Sequence, residues 1–273
     1  MILFLIFIIG LFIGSFLNVL ADRFPKDESP FKGRSHCEKC KRKLAWYDLI
    51  PLLSFIMLKG KCRYCRTRLS SYYPIVELTT GILFAITTLF VLNNFQFFPL
   101  RQGFEGQTIL NFQTLISLAY YLFIISSLIV IFFADLKYGI IPDKIIFPAI
   151  GVSFLYLFIN PSSLIINHLL FAIAACLFFL LLFLVTRGRG MGFGDVKFAF
   201  LMGLVLGFPN IIVALYVAFL TGAIVGCILI IWRKKRVFGT AIPFGPFLVL
   251  GTLLTLFWGE SILRYLKLVL GLP

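Results

Sequence analysis

Residues 198–232 read FAFLMGLVLGFPNIIVALYVAFLTGAIVGCILIIW, 35 positions without a charged side chain. About 20 apolar residues carry a helix across roughly 30 Å of hydrocarbon, so this run is too long for one span. Pro209-Asn210 falls near its middle and is a strong turn signal. Both flanks are basic, with Lys197 before and Arg233-Lys234-Lys235-Arg236 after, which puts the two ends on the same side of a membrane. The run therefore predicts two short helices and not one long one.

Further apolar runs lie at 2–21, 75–92, 112–134, 145–159, 164–186 and roughly 242–258, giving about eight transmembrane helices in all. With 33 Phe among 273 residues, 13% charged residues and a mean hydropathy of +1.02, the chain could not cover a soluble surface with polar groups. The expected class is an all-α polytopic membrane protein. Met1–Ala21 carries no charge and lacks the basic start and small-residue cleavage site of a signal peptide, so it reads as a retained first span. The expected divisions are 1–21, the first transmembrane helix; 22–74, a cytoplasmic loop; 75–111, the second span and an external loop; and 112–273, the membrane core.

The net charge of +14 is distributed by loop. With the N-terminus outside, the loops 22–74, 135–144, 187–197 and 233–241 all fall inside and hold 22 of the 25 Lys and Arg, leaving Arg101, Arg264 and Lys267 outside. Basic loops against an anionic cytoplasmic leaflet account for this balance without any nucleic acid.

In the loop 22–74, Cys37-x2-Cys40 and Cys62-x2-Cys65 are separated by 21 residues, close to the spacing of tetrahedral zinc sites. The halves repeat, with Leu44 and Leu69 at matching positions after each pair. Two knuckles giving two thiolates each would form a small zinc-binding loop domain with four cysteine ligands. A cytoplasmic setting disfavours stable disulfides, and two tandem pairs are unusual for a redox motif. Lys41 and Arg66 stand where such knuckles often use Gly. His36 reads as a solvated loop residue and His168 as one near the outer end of a span. Cys176 and Cys227 read as buried small hydrophobes.

An ionisable group at membrane depth is costly and marks a functional site by default. Four acids border the spans: Glu77, Asp135, Asp143 and Asp195. Glu77 and Asp143 each begin an apolar run, where a helix N-terminus stabilises a negative charge. Asp135 ends an inward-running span, where the dipole repels anions. Asp195 follows Gly190, Gly192 and Gly194, which allow close backbone approach and angles closed to other residues. Gly192-Phe193-Gly194-Asp195 is not followed by Lys-Ser/Thr and no strand precedes it, so it is not a phosphate loop. Asp135 and Asp195 thus admit an aspartyl pair activating water, a proton-transport relay, or structural caps. A metal-sensing scaffold centred on the cysteine loop is a further alternative.

Several motifs in the same order resemble the type IV prepilin peptidases, the bifunctional leader peptidase/N-methyltransferase branch of the GxGD membrane aspartyl proteases. They are Gly14-Ser15-Phe16-Leu17-Asn18-Val19 through Arg23-Phe24-Pro25; Trp46-Tyr47-Asp48-Leu49-Ile50-Pro51; Tyr73-Pro74-Ile75-Val76-Glu77-Leu78; Asp135 through Ile141-Pro142-Asp143; and Gly192-x-Gly194-Asp195-x-Lys197. The resemblance implies that Asp135 and Asp195 are catalytic, with Asp143, Gly192, Gly194 and Lys197 in support. It implies cleavage of the basic leader of prepilins or pseudopilins at the cytoplasmic face of the bacterial inner membrane. Methylation of the new N-terminus by S-adenosylmethionine would follow, with Glu77 a candidate contributor to the cofactor site.

Overall fold

The computed structural model describes residues 1–31, 33–37, 39–95, 112–160, 165–188, 190–232 and 243–270. Among these residues the fold is all helical, with no strand beyond two isolated bridges. The helices are α1 (Ile2–Arg23), α2 (Leu53–Met57), α3 (Tyr72–Phe95), α4 (Phe112–Tyr138), α5 (Asp143–Ile159), α6 (Ile165–Val185), α7 (Phe193–Leu206), α8 (Asn210–Trp232) and α9 (Gly245–Leu270). Six of them are long and apolar enough to cross a membrane: α1, α3, α4, α6, α8 and α9. The other two expected spans, α5 and α7, are helices of 17 and 14 residues. The external loop expected after the second span, with Arg101, lies outside the described residues, as do Arg189 and the basic run Arg233–Arg236.

The break expected at Pro209-Asn210 is present, for α7 ends at Leu206 and α8 begins at Asn210. Turning the chain exposes backbone groups that no helix satisfies, and α6 supplies partners for them. Asn167 accepts the Phe208 N–H at 3.1 Å and donates to the Phe208 carbonyl at 3.1 Å. The His168 ring, in the first turn of α6, lies 2.8 Å from the Leu204 carbonyl. The last span runs beyond its expected end near 258, continuing to Leu270 through a kink at Trp258. Cys227, expected to be buried, is exposed on α8, because the apolar run it belongs to faces outward there.

The chain forms two compact units, Met1–Val130 and Ile131–Pro273. In the first, α1 and α3 approach closely through small residues four apart. A Cβ on Gly10 would sit 2.8 Å from Gly81 Cα, and one on Gly14 would sit 2.8 Å from Glu77 Cα. This is the small-x3-small packing used where lipid offers no hydrophobic drive between helices. In the second unit, α7 is wrapped by α5, α6 and α9 and is buried along most of its length. A Cβ on Gly203 would run into the Ala172 backbone of α6.

Candidate active site

Asp135 lies inside the last turn of α4, which runs to Tyr138 and so beyond the end near 134 that the sequence pattern predicts. Gly139, at φ +67°, turns the chain out of the helix and donates its N–H to the Asp135 carbonyl at 2.8 Å. The Asp135 side chain is only 5% exposed, and its Oδ2 is a buried oxygen without a formed hydrogen bond among the described residues. A carboxylate at a helix C-terminus meets the negative end of the dipole, so its stabilisation has to come from elsewhere. It comes from α9, whose first residue, Gly245, turns its backbone N–H toward the Asp135 carboxylate. A Cβ on Gly245 would lie 2.5 Å from Asp135 Oδ2.

Asp195 occupies the first turn of α7, the favourable end of a helix for an anion. Its carboxylate accepts the Gly192 N–H at 3.2 Å, and its own N–H donates to the Gly192 carbonyl at 3.2 Å. Asp195 therefore does cap a helix. A cap alone does not require burial, yet Asp195 is 6% exposed and close enough to Asp135 for their charges to interact. The structure thus brings together two buried carboxylates 60 residues apart in sequence, each facing the backbone N–H of a glycine.

The neighbouring acid and base form a separate contact. Asp143 opens α5, as expected, and accepts a hydrogen bond from Lys197 Nζ at 2.6 Å. The ammonium also lies 5.4 Å from the ring centre of Phe147 and 5.2 Å from that of Phe193. The glycines before Asp195 meet the expectation in part, for close approach and not for unusual angles. Gly192 has φ −79° and ψ 151°, an extended conformation open to any residue. Gly194 is needed for space, since a Cβ there would come 3.0 Å from Ile141 Cβ.

In the first unit the four loop cysteines gather, with all their sulfur atoms within 4.8 Å of one another and none in a disulfide. Cys37 Sγ and Cys65 Sγ are 3.8 Å apart, and Zn–S bonds of about 2.3 Å set tetrahedral S···S separations of about 3.8 Å. The donor set and spacing fit a tetrahedral cation. The knuckles superimpose in pattern. Cys37 N–H donates to Arg42 and Lys41 N–H to Cys37, just as Cys62 N–H donates to Thr67 and Arg66 N–H to Cys62. Lys41 and Arg66 take left-handed conformations, φ +55° and +53°, so the turns form despite the missing glycines. The Thr67 hydroxyl and N–H pull the Cys65 thiol down to about 6. At Cys40 the Arg42 amide acts in the same direction, but burial and the sulfurs of Cys65 and Cys37 carry it up to about 11. His36 pairs with Lys43 and stays apart from the sulfurs.

Glu77 is not the first-turn helix acid that its sequence position suggests, because α3 starts at Tyr72 and places it in the second turn. It is buried, its Oε2 accepts the Leu52 N–H at 2.9 Å, and Ser15 hydrogen-bonds to it. Leu52 has φ +58° and ψ −47°, a strained conformation for a side-chain-bearing residue. In the first unit the buried Asn18, part of the first-span motif, donates its Nδ2 to the Tyr73 carbonyl at 3.2 Å. Gly245 is a site-forming residue that the sequence pattern does not single out. The available sign of Gly245 was Pro243-Phe244-Gly245-Pro246, a helix start with fixed backbone angles beside a basic loop.

Comparison with known proteins identifies a family. Residues 8–91 match the family model described as Bacterial Peptidase A24 N-terminal domain, and residues 122–227 match that described as Type IV leader peptidase family. A prepilin leader peptidase/N-methyltransferase of Bacillus subtilis is 32% identical over 270 residues, covering 98% of this chain and 99% of the relative. Proteins of the same name from Legionella pneumophila and Aeromonas salmonicida are 31% and 30% identical, covering 96% and 97% of this chain and 94% of each relative. No solved structure matches. With two family models laid end to end and relatives aligned over nearly its full length, the chain belongs to the type IV leader peptidase family.

Proposed function

We propose that Asp135 and Asp195 are the catalytic pair of a prepilin leader peptidase that is also an N-methyltransferase. The observation that carries the reading is two buried carboxylates, from α4 and α7, close enough for their charges to interact and each facing a glycine amide. Two carboxyls in such proximity work as a unit holding one proton between them. The ionised member takes a proton from water as its oxygen attacks the scissile carbonyl. The protonated member gives its proton to the departing amide nitrogen, so the C–N bond breaks and the pair regains its starting state. A transport relay is not supported: relay carboxylates belong near the midplane, whereas these occupy the last turn of one helix and the first turn of another.

The loop charges favour an N-terminus outside and the aspartates at the cytoplasmic edge of the inner membrane. Labelling of cysteines introduced at the two termini by an impermeant reagent tests that orientation. A prepilin or pseudopilin would then lie laterally among the spans with its basic leader in the cytoplasm. The four cysteines would hold Zn²⁺ as a structural ion with no part in the hydrolysis. S-adenosylmethionine supplies the methyl group for the second activity. Glu77 accepts from Leu52 and bonds to Ser15, which makes it a tie between loop and spans.

The test uses the purified protein in lipid vesicles with a leader-bearing prepilin. Asp135→Asn and Asp195→Asn preserve shape and remove the exchangeable proton. Each should abolish cleavage while methyl transfer to an already processed pilin continues. Undiminished cleavage by either variant overturns the pair.

A further inference from the structure

The segment 46–57 belongs by position to the charged loop 22–74, yet Asp48 is its one charged residue and its surroundings are those of the spans. Leu52 donates its N–H to Glu77, and Glu77 lies beside Gly14 and bonds to Ser15 of α1. Ser15 precedes Asp22, the first charged residue of the chain, by seven residues, which is about 10 Å of helix. A glutamate side chain reaches roughly one helical turn, about 5 Å, toward the surface. Leu52 is therefore held level with the charge-free part of α1.

The helix that begins after Leu52 has the surface of a membrane-facing element. Leu53, Ile56 and Met57 are spaced i, i+3, i+4 and form one stripe on α2. They are 58%, 69% and 77% exposed, and Trp46 is 74% exposed. Ile75, Leu78 and Ile82 continue an exposed apolar stripe on α3 on either side of the Glu77 tie. Beside these lie the exposed Lys59, Lys61, Arg66 and Arg68, and no exposed acid stands between residues 49 and 71. Asp48 is bound by Arg63 at 2.7 Å. Trp and Tyr over an apolar stripe with basic residues at its rim is the composition that settles at the boundary of headgroups and acyl chains.

We propose that residues 46–57 are a wedge inserted into the acyl boundary of an anionic lipid leaflet, anchoring the cysteine knuckles to the membrane surface. The Glu77 carboxylate holds its strained turn at depth, the α2 stripe meets lipid, and the basic rim meets headgroup phosphates. This inference rests on the membrane-spanning helices and is independent of the peptidase assignment.

The experiment uses the full chain reconstituted in vesicles of phosphatidylcholine and phosphatidylglycerol. Trp46, Trp232 and Trp258 are replaced by Phe, and Ile56→Trp supplies the only reporter. Lipids brominated high on the acyl chain should quench its emission more than aqueous iodide does, with a blue-shifted maximum. Quenching by iodide but not by bromolipid overturns the wedge. Protection from both overturns it too, since the stripe is then covered by protein, whether a second copy or another part of this chain. Bromolipid quenching should weaken in phosphatidylcholine alone, and if it does not, the basic rim has no role. In a chain keeping only Trp46, Ile56→Asp with Met57→Asp should release that tryptophan from lipid while metal content per chain is unchanged. Loss of the metal as well would mark misfolding, and the Ile56→Trp result then decides.

Discussion

Asp135 sits at the end of a helix where the dipole opposes it, and what offsets that is one backbone amide from α9. Because the group facing the carboxylate is main chain, a substitution reaches the contact only by adding atoms. Three glycines can be ranked on that basis. A Cβ on Gly245 lands 2.5 Å from Asp135 Oδ2, one on Gly194 lands 3.0 Å from Ile141 Cβ, and one on Gly192 has nothing nearer than 3.8 Å. Gly245→Ala should cut cleavage by about 10²-fold, the scale set by an ångström of misplacement at a reacting group. Gly194→Ala should be milder. Gly192→Ala should cost only about 1 kcal/mol of stability for the poorer helix cap and keep most activity. Initial rates on a prepilin substrate order the three, and an unimpaired Gly245→Ala refutes the role given to α9. The two aspartates were legible in the sequence because charge is scarce in this chain. Gly245 was not, since it lies 110 residues from Asp135 and a glycine amide leaves no compositional trace.

At the level of elements, the N-terminal ends of α5 and α7 are joined by Asp143 and Lys197. The Lys197 and Asp143 side chains are 22% and 55% exposed, so the ion pair contributes under about 1 kcal/mol, and the Phe147 and Phe193 rings add a comparable amount. The contact is thus too weak to hold the fold and serves to set where α7 begins relative to α5. Asp143→Asn should leave thermal stability within about 1 kcal/mol of the parent and lower cleavage without abolishing it. Complete loss, matching Asp195→Asn, would instead put Asp143 in the chemistry. The knuckles permit a sharper test. Cys62 is a buried member of the sulfur cluster, and if the cluster holds Zn²⁺ as proposed, Cys62→Ser should lower the zinc per chain read by atomic absorption and open the loop to protease. The break between α7 and α8 was legible at Pro209-Asn210, and the knuckles at the repeated cysteine pairs. The partners that make the break tolerable, Asn167 and His168, were not, because they satisfy backbone 36 to 41 residues away.

Across the whole molecule, the apolar runs made the helices readable in the sequence, and among the described residues six of them are long and apolar enough to cross a membrane. The membership of the loop 22–74 was harder to see. Its charge marks it as soluble, while the tie from Leu52 to Glu77 draws one part of it down beside the spans. Hydropathy averages over such a segment, and only the contact reveals it. The length of α4 has its own outcome. At 27 residues it is about 40 Å long, against roughly 30 Å of hydrocarbon, and Asp135 lies three residues from its end. The helix has rise to spare, so the height of the carboxylate above the acyl chains is set by the lipid as well as by the protein. In vesicles of longer-chain lipids the surplus shrinks and Asp135 sinks toward hydrocarbon, away from its supply of water. Cleavage should therefore slow as acyl length increases at constant headgroup, making bilayer thickness a control on the rate at which leaders are removed.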